Sequence, residues 1–137
     1  MAGFGNYLKQ AMGDHAFGVA AMTVPAGLYL ALMSVEPADD GTGGTEITGT
    51  GYARASCGVG ATSWVWDAAL HGVKNVADIL FPLAGANDWI QAIAGAVYDA
   101  SVAGNLWGHA ALLAPVLPSL GDQVRIPAGS LVIRFNP

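Results

Sequence analysis

The sequence predicts a mainly β protein, an antiparallel, jelly-roll-like β-sandwich with a short N-terminal α-helix. Three observations support this fold class: one helical repeat near the start, about seven short apolar segments separated by turn residues, and no alternation of long helices with strands. The 137 residues fit one core, because each half alone would bury too little surface. We therefore expect a single domain over residues 1–137, with the helix at 1–15 and the sandwich at 26–137.

The first predicted element is an amphipathic helix. Phe4, Tyr7, Leu8 and Met12 recur at spacings of three and four residues, which places them on one face of a helix. Gly13 is a plausible end for this helix, because glycine favours helix termination over continuation.

The elements that follow have the period of strands. Leu28 to Met33 is a continuous apolar run, typical of a strand that is buried on both faces. Residues 38–51 are rich in Asp, Gly and Thr, and therefore predict a loop. Further strands are predicted at 52–56, around Trp64 and Trp66, at 71–81 with Pro82 closing the run, at 106–112, at 123–126, and at 131–135 with Leu131, Ile133 and Phe135 pointing inward.

The segment from Trp89 to Ala100 is ambiguous. Ile90, Ile93 and Val97 have helical spacing, whereas Gly95 and the β-branched residues suit a strand that is buried on both faces. We favour the strand, joined to the next one by a turn at 104–105.

Composition indicates that part of the surface is covered by other protein. Hydrophobic residues make up 53% of the chain and charged residues 11%, well below the roughly 25% charge of typical soluble domains. Few ionised side chains are therefore available to hydrate the outside of the fold. The apolar residues that we expect at such an interface are Phe4, Tyr7, Leu8, Trp64, Trp66 and Trp89.

Charge, cysteine content and the distribution of apolar residues argue against nucleic-acid binding, an intramolecular disulfide and a membrane segment. A net charge of −5 with five scattered Lys and Arg argues against nucleic-acid binding, which relies on clustered cations. The single cysteine, Cys57, excludes an intramolecular disulfide. Residues 16–33 carry no charge, but Pro25 and Gly27 divide the run and no signal-like start is present, so we expect no membrane segment.

Motifs for catalysis or for cofactors are not apparent. His15, His71 and His109 are far apart in sequence, and no serine stands in a Gly-x-Ser-x-Gly motif. The acidic loop at 39–46 lacks the ligand spacing of an EF-hand. We therefore expect no enzyme, with no catalytic, cofactor-binding or metal residues. A small hydrolase or metal enzyme would require an acidic or histidine cluster that the sequence does not display.

The four tryptophans allow two interpretations. Tryptophan stacks well on sugars, so the four side chains could form a carbohydrate-binding surface. Tryptophan is also enriched at subunit interfaces, so they could instead lie in the core and at contacts between subunits. In so apolar a chain we favour core and interface.

A series of short signatures resembles a family of small tailed-bacteriophage virion proteins, often labelled tail fibre proteins. Each signature is weak alone, but their order over most of the chain makes a fairly specific fingerprint. The signatures are Asp14-His15-Ala16-Phe17-Gly18, Leu28-Tyr29-Leu30-Ala31-Leu32, Glu36-Pro37 with Asp39-Asp40-Gly41, Gly51-Tyr52-Ala53-Arg54, Ile79-Leu80-Phe81-Pro82 with Ala84, Tyr98-Asp99-Ala100, Gly104-Asn105-Leu106, Gly121-Asp122 and Pro127-Ala128-Gly129-Ser130-Leu131.

The resemblance implies a virion structural protein with no catalytic residues to carry over. Because no shaft repeat is present, we expect a capsid decoration, or cement, protein that binds between major capsid protein subunits. It would be made in the host cytoplasm and would act on the capsid surface of the virion as a homo-oligomer, with a trimer as the expected form. The alternative is a tail fibre or baseplate component that contacts the host surface.

Overall fold

The computed structural model describes residues 3–135 and confirms the predicted fold class: mainly β, antiparallel, with one short helix near the N-terminus. The helix α1 spans Asn6–Ala16. The strands are β1 (Gly3–Phe4), β2 (Tyr29–Val35), β3 (Thr45–Glu46), β4 (Ala55–Ser56), β5 (Trp64–Asp67), β6 (Gly72–Asn75), β7 (Ile79–Leu83), β8 (Ala92–Tyr98), β9 (Leu106–Val116), β10 (Gln123–Ile126) and β11 (Val132–Arg134).

The strands form one large sheet and two small ones. The large sheet has the order β1-β9-β8-β2-β3, and β4 also pairs with β2. The small sheets are β10-β7 and β11-β6-β5. Every pairing in the described chain is antiparallel. Consecutive strands β8 and β9 form the predicted hairpin at the centre of the large sheet.

Strand β2 is buried on both faces, as its unbroken apolar run predicts. Leu30 and Leu32 belong to the main core, whereas Ala31 and Met33 point to the opposite face, where they pack with Ala94 and other small residues. This alternation follows from the two-residue period of a strand. The second face is rich in alanine, so a loop can lie close against it.

The preferred reading of the ambiguous 89–100 segment is confirmed, because Ala92–Tyr98 is strand β8 and pairs with β2 from Tyr98 to Ala94. Gly95 explains the choice in part. A Cβ at this position would lie 3.1 Å from Leu30 Cδ1, so the missing side chain lets the two strands and the core approach closely.

The helix boundary differs from the prediction. Phe4 is not helical but lies in β1, where it pairs with Gly108 of β9. Gly5 is extended, and backbone bonds fix the start of the helix, since the amide of Gly5 donates to Trp107 O at 2.9 Å and that of Asn6 donates to Asp39 O at 2.6 Å. The helix therefore begins at Asn6 and ends at Ala16.

The predicted strand at 71–81 is two strands, and Pro82 lies inside the second of them. Asn75 ends β6 and is 2% exposed. Its Nδ2 donates to Ala77 O at 2.8 Å and to Pro127 O at 3.0 Å, while Leu131 N donates to its Oδ1 at 2.9 Å. These three bonds turn the chain between β6 and β7. The single strand predicted at 71–81 is therefore wrong, and the alternating pattern gave no sign of this turn.

Other boundaries shift by a few residues. The predicted strand at 52–56 is a strand only at Ala55–Ser56, and the predicted loop at 38–51 contains β3. Leu131 and Ile133 point inward as predicted, but Phe135 is 53% exposed. Its ring packs edge-on against Phe4, with centroids 5.5 Å apart.

The main core lies between the large sheet, α1 and the two small sheets. Its most deeply buried large side chains are Leu30, Leu32, Ile47, Phe81 and Val97. Among residues 3–135, no helix has the length and apolar character needed to cross a bilayer.

Candidate interaction surface

A buried histidine fixes the loop that covers the outer face of the large sheet. His109 of β9 is 2% exposed. Its Nδ1 lies 2.7 Å from Glu36 Oε1, and its Nε2 lies 2.8 Å from Asp39 Oδ1. Lys9 of α1 donates to the other oxygen of Asp39. One side chain from the sheet is thereby joined to the loop after β2 and to the helix.

Hydrogen bonds in this cluster favour the ionised form of its two carboxylates. Hydrogen bonds from Lys9 and then from His109 lower the pKa of Asp39. For Glu36, burial acts to raise the pKa, but hydrogen bonds to its carboxylate, including that of His109, outweigh burial and lower it. Each ring nitrogen of His109 faces a carboxylate oxygen, so the imidazole bridges Glu36 and Asp39.

A second charged cluster lies beside the edge of the same sheet, next to β3 and the loop between β8 and β9. Arg54 makes a two-pronged contact with Glu46, with Nη2 to Oε1 at 2.9 Å and Nε to Oε2 at 3.0 Å. Its Nη1 donates to Ala100 O at 2.9 Å and to Ala103 O at 2.7 Å, and its guanidinium lies 4.1 Å from the ring centre of Tyr98. Arg54 therefore anchors the loop between β8 and β9 to the edge of β2.

Tyr52 extends this second cluster into the core. Its hydroxyl donates to Glu46 Oε2 at 2.8 Å and accepts from the amide of Leu32 at 3.0 Å. Burial, followed by the nearby Glu46 carboxylate, raises the pKa of the Tyr52 hydroxyl. The ring also packs edge-on against Trp89, with centroids 5.3 Å apart.

The predicted interface residues divide into buried and exposed ones. Phe4, Leu8 and Trp89 are 4%, 7% and 3% exposed, so they stabilise the fold and offer almost no surface to a partner. Tyr7 and Trp66 are 49% and 52% exposed. These two side chains are therefore the members of the predicted set that a partner can reach most fully.

Three of the predicted interface residues meet in one apolar cleft of about 240 Å³ between α1, the large sheet and the sheet β11-β6-β5. Phe4, Leu8 and Trp64 line it. The indole of Trp64 donates to Gly58 O at 2.9 Å, which fixes the ring against the cleft. Tyr7 lines a neighbouring cleft of about 320 Å³ between α1 and residues 20–23.

The carboxylates of the predicted acidic loop bond neighbouring side chains, and that of Asp39 contacts His109. Asp39 bonds Lys9 and His109, Asp40 bonds the Thr42 hydroxyl at 2.7 Å, and Glu46 bonds Arg54, so each carboxylate faces a partner within the fold. No group of three or more His, Cys, Asp or Glu residues positioned to hold a metal occurs among residues 3–135.

The free cysteine is buried, and its thiol has low reactivity. Cys57 is buried next to β4, and burial raises the pKa of its thiol to about 12. A thiol with so high a pKa is almost wholly protonated near neutral pH and is a poor nucleophile.

The exposed apolar side chains are the feature that the sequence analysis located least well. Leu80 and Leu83 on β7, Leu113 on β9, and Leu117 and Leu120 on the β9–β10 connection are all more than half exposed. Phe17 and Val24, which flank the clefts near α1, are 88% and 70% exposed. For Leu113, Leu117 and Leu120 the sequence offered one hint, since residues 101–121 contain no Asp, Glu, Lys or Arg.

Comparison with known proteins gives one family. The model of the family described as Podophage GP4 fiber I protein gp80 matches residues 3–134, almost the whole chain. A search of curated proteins finds no match.

Proposed function

Because the chain belongs to the Podophage GP4 fiber I protein gp80 family, a phage virion fibre family, we propose that it is a tail fibre subunit that acts through protein contacts. The observation that carries the proposal is the family match over residues 3–134. The surface supports it, because a structural subunit requires area that can be buried against neighbours and this fold leaves many apolar side chains outside.

The charges of the protein are largely used within the fold. Four of its five Lys and Arg residues form ion pairs with its own carboxylates: Lys9 with Asp39, Arg54 with Glu46, Lys74 with Asp67 and Arg125 with Asp78. Contacts with a neighbour would therefore rely on apolar area and shape more than on free cations, as in permanent assemblies.

For a tail location, Trp66 is the side chain best placed to meet the host surface. It stands 52% exposed on β5, an edge strand of its sheet, whereas Trp64 is held by its bond to Gly58. Tryptophan faces stack on the apolar faces of sugars. We expect Trp66→Ala to abolish binding of the purified protein to host cells while Val102→Ala, at an exposed site on another loop, leaves it intact.

Capsid decoration is the second candidate. Its support is that the described residues form strands around a main core without a shaft-like repeat, as expected of a compact decoration protein. A homo-oligomer, with a trimer as the expected form, suits either location, because fibres and shells both use symmetric contacts.

Stoichiometry in purified virions separates the two candidates. We expect quantitative mass spectrometry to find the chain in a small number of copies relative to the major capsid protein, and in the tail fraction after heads and tails are separated. A copy number comparable to that of the major capsid protein, recovered with heads, would establish decoration instead. Absence of the chain from purified virions would contradict both.

A further inference from the structure

The cleft between α1 and residues 20–23 combines aromatic rings with polar side chains. Its volume is about 320 Å³. Gln10, Asp14 and Thr23 supply its polar lining, and Tyr7 and Trp107 supply its aromatic lining. The three polar side chains form no hydrogen bond with any other residue in the described part of the chain. We name this site the Asp14 cleft.

Asp14 differs from the other acidic residues of the protein in its lack of a partner. The sequence has ten Asp and Glu residues, and nine of them accept a hydrogen bond from another residue of the fold or form an ion pair with it. Among residues 3–135, the carboxylate of Asp14 has no such partner, although the residue is half-buried. A partly buried carboxylate without a partner is costly. The nine partnered residues are Glu36, Asp39, Asp40, Glu46, Asp67, Asp78, Asp88, Asp99 and Asp122.

The surroundings of Asp14 favour a cation in this cleft. Asp14 lies in the last turn of α1, so its carboxylate is close to the partly negative C-terminal end of the helix dipole. A carboxylate at this position is unfavourable until a cation compensates it. Aromatic rings bind cations over their faces, and Tyr7 and Trp107 supply two rings in the same cleft.

The fold already holds one guanidinium with this combination of groups. Arg54 binds the Glu46 carboxylate through two hydrogen bonds and lies 4.1 Å from the ring centre of Tyr98. A planar guanidinium pairs with a carboxylate and stacks on an aromatic ring more readily than a compact ammonium group does. We therefore expect an arginine side chain as the occupant of the Asp14 cleft.

Arg134 is the cation that the described fold leaves unused. It is exposed at the end of β11, and it is the member of the five Lys and Arg residues that forms no ion pair within residues 3–135. Its neighbour Ile133 lines the apolar cleft that adjoins the Asp14 cleft. Because side chains alternate along a strand, Arg134 points to the opposite face of its sheet. Arg134 is therefore turned away from the Asp14 cleft of its own chain and is available to a neighbour.

We propose that the Asp14 cleft is a contact between copies of this chain and receives the Arg134 guanidinium of the neighbouring copy, an inference that rests on the proposed function. The chain carries a net charge of −5, so copies repel one another unless opposite charges meet where they touch. Asp14 and Arg134 supply such a pair. Phe17 and Val24, which are 88% and 70% exposed beside the clefts, supply apolar area that the neighbour buries.

The pair of charges also determines the kind of assembly. The Asp14 cleft and Arg134 are different surfaces of one chain, so the contact is head-to-tail. A head-to-tail contact closes into a ring when the rotation between copies allows it. The trimer expected for the proposed function is such a ring, with one Asp14–Arg134 pair at each of its contacts.

The test is the oligomeric state of the full chain in solution, measured by analytical ultracentrifugation over a range of concentrations. We expect the wild-type protein to associate, and Asp14→Asn and Arg134→Gln each to raise the dissociation constant about 10-fold or more. Asp14→Asn also reduces the net charge and thus the general repulsion between copies, so weaker association would be specific to the pair. A chain that carries both Asp14→Arg and Arg134→Asp exchanges the two charges and should associate again.

The matched control is Val102→Glu, which changes the net charge by the same amount as Arg134→Gln. Val102 is 79% exposed on the loop between β8 and β9, and its variant should associate like wild type. If it weakens association as much as Arg134→Gln does, general repulsion is the cause and the inference is overturned. Circular dichroism verifies that each variant keeps the fold, as expected because the side chains of Asp14 and Arg134 form no bond within the described residues.

Three further results would overturn the inference: a wild-type protein that stays monomeric at high concentration, single variants that associate like wild type, and a charge-exchanged chain that stays dissociated. If the wild-type protein is monomeric but Asp14→Asn is lost from virions, the cleft receives a cation of a different virion protein. This result also overturns the inference and leaves the proposed function standing.

Discussion

At the scale of single residues, His109 connects more of the chain than its position in sequence suggests. Its contacts to Glu36 and Asp39 join residues that are 73 and 70 positions apart in sequence. Asp39 also accepts a hydrogen bond from Lys9 in α1, so the helix belongs to the same cluster. Because His109 is 2% exposed, a partial loss of this cluster leaves a charge without its partner in a place that water reaches poorly.

We predict that His109→Ala lowers the free energy of unfolding by about 3 kcal/mol, since it removes a buried ring together with its two hydrogen bonds to carboxylates. Chemical denaturation measures the change. His15→Ala is the control, because His15 is exposed and accepts one bond from Met22 N at 3.2 Å; its cost should stay below about 1 kcal/mol. Equal losses for the two variants would show that the charged cluster contributes no special stability.

The same cluster predicts a pH dependence. The pKa values of Asp39 and Glu36 are lowered from ordinary values of 3.8 and 4.5, so the unfolded chain binds protons first as the pH falls. Their contribution is therefore fully present above those ordinary values and is lost as the pH falls through the folded pKa values. We expect acid titration of stability to be shallower in Asp39→Asn than in wild type; parallel curves would contradict this assignment.

At the scale of elements, the sequence predicted the strands whose signal is local. The apolar run predicted β2, and Gly95 with the β-branched residues favoured a strand over a helix at β8; both strands were found. The single strand predicted at 71–81 was wrong, because the bend depends on the bonds of Asn75 to Ala77 and to distant Pro127. Such a bond over 52 residues leaves no mark in a periodic pattern.

Packing between elements makes two glycines respond in opposite ways to the same substitution. A Cβ on Gly49 would fall 2.3 Å from Trp89 Cδ1 and 2.8 Å from Trp89 Cα, so Gly49→Ala must displace backbone. We predict a loss of about 1–3 kcal/mol in the free energy of unfolding. The melting temperature and chemical denaturation report this loss.

Gly13 is the matched position. It lies inside α1, and a Cβ there would meet nothing within 4 Å, so Gly13→Ala removes the entropic cost of glycine in a helix. We expect it to stabilise the protein by about 0.5–1 kcal/mol. If both alanine variants destabilise the protein equally, the contact of Gly49 with Trp89 is not the cause.

At the scale of the whole molecule, composition predicted that the surface is apolar but not where. Phe4, Leu8 and Trp89 were expected at an interface and are in the core, since hydrophobicity alone does not distinguish a side chain that packs inward from one that packs on a neighbour. Of the exposed leucines on β7 and β9, only Leu80 lay in a predicted strand. Leu113 is one of four β9 residues, 112–115, that face Ile93 alone, an arrangement that only the fold defines.

Association between copies, which the proposed homo-oligomer requires, should couple stability to concentration. Copies that bind one another only when folded stabilise the folded state by mass action, so the melting temperature rises with protein concentration. We predict this rise for the wild-type chain, measured by calorimetry at several concentrations. A melting temperature that does not change with concentration would contradict association of the folded chain with itself.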